Sequence, residues 1–370
     1  MRTSTAVFTS VLLALSGCSG EDVVPSAPLA DEVPFSPLPE RQTTVSGIVY
    51  DPEAFFFSLA MFPPDPEDPE GENAPPPALF EGIPFLTLSV AVGSSVSLVA
   101  DGARAGSSQA PSTPTGFWQV QGVPSSDTLH YLARAEPPAQ GPVLTGGVDI
   151  FPSPPFETVP EGQYFPTTAL RPIIASPAMC QGQVAALVGE TGALGALAQL
   201  LSAQGTPTTA ADLADPAKTG GVLLVWVYAP SFALDLFNIP SGGIIAEASR
   251  GTVYGLDWAP PGAVPEGQSP MGYLAAPEPT SSLGYFAVVL PPGGGSAPVT
   301  LTFKDTKVTG PEEEPGPFGP RPWRVPAITV PGVPGISFLR HFALRAEDEP
   351  VDPDADPVPP DDLSWRCIGQ

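Results

Sequence analysis

Proline sets the strictest limit on what this chain can fold into. It occupies 53 of 370 positions, beside 38 glycines. A proline ring fixes φ and removes a backbone donor, so it interrupts helices and central strands alike. The map of prolines is therefore nearly a map of loops. Between them lie short runs such as Thr43 to Asp51, Leu86 to Val92, Val96 to Ala100, Gly116 to Val120 and His130 to Ala135. Each is β-branched or aromatic, of strand length, and bounded by Gly, Pro, Ser or Asp. Hydrophobic residues make up 42% of the chain, too many for wholesale disorder. The predicted fold is mainly β: two antiparallel β-sandwich modules with Pro-rich loops and a helical insert.

The first module is read as 43–175 and the second as 221–345. The second begins with Val222 to Tyr228 and continues through Ile244 to Ala248, Gly251 to Leu256, Gly284 to Leu290 and Val299 to Asp305. Residues 176–220 differ. Val184 to Val188 and Ala193 to Leu201 carry apolar residues at the helical spacing, weakened by Gly189, Gly192 and Gly195. Thr208-Thr209-Ala210-Ala211-Asp212-Leu213 is expected to start a short helix on a Thr cap. Residues 346–370 form an acidic tail.

The N-terminus reads as an export signal. Arg2 is followed by the apolar run Ala6 to Leu15, roughly half of what a membrane-spanning helix needs. It ends in Leu15-Ser16-Gly17-Cys18, which resembles the lipobox of bacterial lipoproteins. The resemblance implies removal of residues 1–17, a diacylglycerol group on Cys18, and anchorage to the membrane through that lipid. Ser19 stands where an Asp, in that family, retains proteins at the inner membrane, so the implied location is the cell envelope, at the outer membrane. Residues 18–42 are rich in Ser, Gly, Pro and acid and are expected to act as a flexible tether.

Net charge is −25, from 14 basic and 39 acidic residues. Such a surface repels nucleic acid and anionic headgroups, which excludes both as partners and leaves the lipid as the membrane contact. Besides Cys18, the cysteines are Cys180 and Cys367. In an oxidising compartment they are expected to form a disulfide that anchors the tail; two buried thiols are the alternative.

Val45-Ser46-Gly47-Ile48-Val49-Tyr50-Asp51, Val96 to Gly102, Thr115 to Val120 and Leu129 to Ala135 together resemble the carboxypeptidase-regulatory, transthyretin-like module. The resemblance covers about residues 43–150 and implies an Ig-like sandwich, with a long insertion after Asp51. The Gly-aromatic-aromatic strand at Gly284 and its closing strand echo this pattern, which points to a second such module.

Chemistry-bearing patterns are sparse. The only two histidines lie in matching stretches, His130-Tyr131-Leu132-Ala133-Arg134-Ala135-Glu136 and His341-Phe342-Ala343-Leu344-Arg345-Ala346-Glu347. On strands, His and Arg share one face. Two equivalent strands with a polar outer face, or a shared polar site of His130, Arg134, Glu136, His341, Arg345 and Glu347, both fit. There is no H-E-x-x-H, G-x-S-x-G or phosphate-binding loop. Asp352-Pro353-Asp354-Ala355-Asp356 begins like a calcium loop, but Pro357 and Leu363 exclude an EF-hand. No metal, cofactor or catalytic residue is therefore expected.

Trp118 and Trp226 read as core; Trp258 and Trp323 lie beside prolines and read as exposed loop aromatics. The expected function is a non-catalytic structural, adhesive or ligand-presenting role in the cell envelope, with an envelope protein or glycan as partner. A carbohydrate- or peptide-binding module using the loop aromatics is the alternative, and a hydrolase is the second.

Overall fold

A computed structural model of the chain describes residues 42–61, 79–80, 89–100, 103–114, 116–124, 130–139, 145–146, 159–174, 181–230, 237–263, 267–293, 296–315 and 318–346. In the first half the elements are β1 (Gln42–Tyr50), α1 (Pro52–Ala60), β2 (Leu79–Phe80), β3 (Val90–Ala91), β4 (Ser95–Ala100), β5 (Ala103–Ser107) and β6 (Phe117–Pro124). Then come β7 (His130–Glu136), β8 (Thr145–Gly146), β9 (Tyr164–Phe165), β10 (Thr167–Ile174), β11 (Gln181–Ala186) and β12 (Val188–Gly189). Two helices follow, α2 (Ala193–Ala203) and α3 (Ala210–Ala214). The second half holds β13 (Gly221–Tyr228), β14 (Phe237–Asn238), β15 (Ile244–Ala248), β16 (Thr252–Trp258) and β17 (Tyr273–Ala276). It closes with β18 (Thr280–Ser281), β19 (Tyr285–Leu290), β20 (Val299–Asp305), β21 (Ile328–Val330) and β22 (Ile336–Phe342). The protein is mainly β, built from several sheets.

The largest sheet runs β17-β16-β19-β13-β22-β10-β7-β4-β5. Its three central strands are parallel, β13 to β22 and β22 to β10, while the outer pairs are antiparallel. A second sheet pairs β1 with β11 in parallel and with β3 and β6 in antiparallel. The expectation of purely antiparallel sheets is corrected by these pairings. The physical reason is double-sided cover, which parallel strands need. All eight residues of β13 (GVLLVWVY) are buried. The continuous apolar run, rather than an alternating one, carries that meaning.

The two faces of the central strands bury against different layers. Val222, Leu224, Trp226 and Tyr228 join one core with Ile336, Phe338 and the apolar residues of α1 and α2. Leu223, Val225 and Val227 join another with Ile244 of β15, Val299 and Leu301 of β20, and Val330 of β21. A third core sets Val45 and Val49 of β1 and Trp118 and Val120 of β6 against Val96, Leu98, Tyr131 and Ala133 of β4 and β7. Trp118 and Trp226 are core residues, as their strand settings predict.

Strands from both predicted modules share the large sheet. β10, which ends at residue 174, and β13, which starts at 221, flank β22. Within the stretch read as helical, residues 181–186 form β11 instead. There the register Val45 to Gln181 through Tyr50 to Ala186 outweighs a local periodicity already weakened by glycine. Helices α2 and α3 do form. Thr209 caps α3 in a capping box with Asp212, and the Asp212 carboxylate also meets Lys218. The tether up to residue 41, the tail from residue 347, and Cys18, Cys180, Cys367 and Glu347 lie outside the described residues, while Gln42, read as the end of the tether, begins β1. Among the described residues no helix is long and apolar enough to cross a membrane.

Candidate functional site

Two carboxylates sit at the junction of the large sheet and the helices. Asp51 follows β1, and its Oδ1 accepts the backbone N–H groups of Glu53 at 2.8 Å and Ala54 at 3.0 Å. It thereby caps α1, with Pro52 at the first helical position, where a missing N–H costs nothing. Its other oxygen accepts the Tyr164 hydroxyl at 2.7 Å. Glu53, in the first turn of α1, reaches away from its own helix. Glu53 Oε2 accepts the Ala193 amide at 3.1 Å, and so caps α2 from 140 residues away. Glu53 Oε1 accepts the Tyr285 hydroxyl at 2.5 Å, and its backbone carbonyl accepts the Tyr273 hydroxyl at 3.0 Å.

Gly192 explains why the carboxylate fits. A Cβ there would lie 1.6 Å from Glu53 Oε2. Gly192 precedes α2, whose own N-cap side makes no side-chain bond. The helix N-terminus therefore receives its hydrogen-bond acceptor from α1.

Both acids are 0% exposed. Burial pushes Asp51 up to about 6, against the opposing hydrogen bonds it accepts. Burial, then repulsion from Asp51, pushes Glu53 up to about 8. Burial raises the hydroxyls of Tyr164, Tyr273 and Tyr285 as well, reinforced by the adjacent acids. Near neutral pH the pair therefore retains a proton between two helix starts and three tyrosines. The chemistry available to it is internal: holding a proton and holding elements together.

A second polar knot lies on the outer layer. Arg321 donates from Nε and Nη2 to the two oxygens of Asp305, at 2.8 and 2.6 Å, and from Nη2 to the Gly242 carbonyl at 2.7 Å. Asp305 also accepts the backbone N–H groups of Lys307 and Trp323. The guanidinium stacks 4.2 Å from the Trp323 ring centroid.

The predicted polar residues fall on the strands either side of β10. On β7, His130 is exposed. Arg134 Nη1 reaches Thr168 Oγ1 at 3.5 Å, and its Nε lies 3.6 Å from Glu136. On β22, His341 donates from Nε2 to the Pro326 carbonyl at 2.7 Å, and its ring lies 5.2 Å from Phe303. Burial lowers its pKa. Arg345 follows the strand, and its carbonyl accepts from the guanidinium of Arg324. Arg134 and Glu136 are brought together, while His130 and His341 lie on different strands, either side of β10.

Trp258 and Trp323, expected as exposed, are half-buried and engaged. Trp258 donates to the Met271 carbonyl at 2.7 Å and meets Phe56 edge-on. Trp323 donates to the Gly319 carbonyl at 3.4 Å.

In the sequence Asp51 reads as a strand end, and Glu53 carries no catalytic or metal-binding motif. The signal available was Asp51-Pro52-Glu53 ahead of an apolar run, a helix start. Among the described residues no cluster of three or more His, Cys, Asp or Glu side chains could hold a metal ion. No protein-family model, curated protein or solved structure matches the chain.

Proposed function

We propose that the chain is a lipid-tethered cell-envelope protein whose β-rich body performs no catalysis and serves as a structural, adhesive or ligand-presenting module. One observation carries the non-catalytic reading. The acids with the most displaced proton affinities, Asp51 and Glu53, are fully buried and spent on capping helices. A general acid or base must reach the proton it transfers, directly or through one water. The tether reading rests on Leu15-Ser16-Gly17-Cys18 and on Ser19, which favours the outer membrane.

We read the body as transthyretin-like sandwich architecture around residues 43–150. In support, β1 pairs with β6, β4 pairs with β7, and the two pairs face each other across one core.

Mass spectrometry of the N-terminal peptide from the native membrane fraction tests the anchor. A diacylglyceryl-modified peptide starting at Cys18, lost with release of Cys18→Ala from the membrane, is the expected result. An unmodified N-terminus in a soluble fraction overturns it. Turnover of ester, peptide or glycoside substrates that disappears in a folded Glu53→Gln variant overturns the non-catalytic reading.

A second reading, a carbohydrate- or peptide-binding surface, is favoured by one feature: a groove beside β6, lined by glutamines and an aromatic ring.

A further inference from the structure

The groove occupies 230 Å³. Gln109, Pro111 and Thr113 line it from the loop before β6, and Phe117, Gln119 and Gln121 from the strand itself. Strand alternation produces that second set. Trp118 and Val120 of β6 are buried, so Phe117, Gln119 and Gln121, which alternate with them, turn the other way. The strand's inward face thus fixes its outward one.

The loop wall is fixed too. Ser112, 5% exposed, ties residues 108–114 to the β3–β4 turn. Its Oγ donates to the Ala91 carbonyl at 2.6 Å and accepts the Ser94 amide at 2.8 Å. Its backbone N–H donates to the Ser94 carbonyl at 2.7 Å, and its carbonyl accepts the Gly93 amide at 3.0 Å. Closer to the groove, Thr113 Oγ1 accepts the Phe117 amide at 3.1 Å. A site held this way loses little freedom when it is filled.

The lining selects by charge. None of these side chains is ionisable, in a chain of net charge −25. The groove offers no carboxylate to a cationic ligand, and the field of the whole molecule repels anions. A neutral ligand is what remains. The hydrogen-bonding groups narrow it further. Gln121 Nε2 donates to Gln119 Oε1 at 2.9 Å, which orders the two amides in series. The pair still holds the Gln119 amide N–H groups and the Gln121 carbonyl, a donor and an acceptor side by side. Adjacent ring hydroxyls match such a pair, because each can both give and accept. Phe117 adds an apolar surface for the C–H face of a ring. The volume lies below the usual range for larger organic ligands, ~300–1,000 Å³, and suits a single ring.

We infer that the groove formed by Gln109, Thr113, Phe117, Gln119 and Gln121 is a binding site for one neutral sugar residue of a glycan. This deepens the carbohydrate-binding reading and rests on it for its setting. Its test does not need the anchor, so a failure here leaves the mass-spectrometric result on Cys18 untouched.

The full chain in detergent is titrated with maltose, cellobiose, lactose and N,N′-diacetylchitobiose, and with digalacturonate as the charged control. Binding is followed by saturation-transfer NMR. Saturation of at least one neutral disaccharide is expected, weakened tenfold or more in Phe117→Ala and in Gln119→Ala, with no transfer to digalacturonate. Gln121→Ala, on the exposed part of the strand, gives the same loss without an effect on folding, so a poorly folding Phe117 variant does not blunt the test. Absence of transfer to all four sugars, binding that survives the three substitutions, or equal binding of digalacturonate overturns the inference. So does capture of an uncharged Ala/Pro hexapeptide in place of any sugar.

Discussion

The hydroxyl of Tyr285 lies 2.5 Å from Oε1 of Glu53, across 232 residues of sequence. It joins α1 to β19, a strand of the large sheet. The same carboxylate holds the start of α2. Three elements distant in sequence thus share one buried acid.

Stability is expected to fall as pH rises from about 5 to 8. Glu53 moves from an ordinary 4.5 to about 8 on folding, and Asp51 from 3.8 to about 6. Between those limits the folded protein binds more protons than the unfolded chain, so stability is fullest below the ordinary values and is lost towards the raised ones. The limiting slope is ~1.4 kcal/mol per pH unit for each group. General repulsion in so acidic a chain has the same sign. Urea unfolding of wild type beside Glu53→Gln separates the two: the variant flattens the profile up to pH 8, and parallel profiles would exclude the buried pair as the source.

Tyr285→Phe removes a donor from a buried carboxyl without altering the ring. A loss of ~1–3 kcal/mol is expected. It should be accompanied by a further rise in the Glu53 titration, read from its carboxyl carbon by NMR.

Gly192→Ala places a methyl group where Glu53 Oε2 stands. Backbone strain is not the cause, since Gly192 has φ −99°. A loss of about 3 kcal/mol is expected from the forced displacement. In a Glu53→Ala background the same change should cost less, with a coupling of ~1 kcal/mol or more in a double-mutant cycle. Strict additivity would show that the two residues do not compete for space.

Much of this framework was legible in the chain. The runs at Thr43, Val222, Ile244, Tyr285 and Val299 coincide with β1, β13, β15, β19 and β20, because apolar runs cut by Pro and Gly define strands locally. Thr209 was legible as a cap for the same reason. What escaped was long-range. Residues 181–186 form a strand because β1 lies beside them, and nothing within those six residues encodes that partner. Asp51 and Glu53 escaped because one residue stands between a strand and the helix it caps, and the other serves a helix 140 positions away.

Asp305→Ala is expected to cost ~3–5 kcal/mol, because it strands Arg321 and two backbone amides in a half-buried setting. Faster proteolytic cleavage within residues 306–323 than in wild type is the matching local readout. Unchanged cleavage together with unchanged stability would show that the knot is ornamental.

Cys180 and Cys367 are expected to be joined. Different mobility with and without reductant on a denaturing gel, with no free thiol before reduction, is the anticipated result. Identical mobility and two titratable thiols would exclude the bond.

The place of β22 also governs the order in which the molecule can be completed. This strand, residues 336–342, fills the gap between β10 and β13, both of which emerge more than a hundred residues earlier. A chain appearing from its N-terminus carries two open strand edges until that late segment arrives. Any interruption before residue 336 leaves those edges available to other chains, the usual start of aggregation. Assembly of the centre is therefore a closing event, slow because it joins strands more than a hundred residues apart, and β22 acts as the keystone between the two strands made before it.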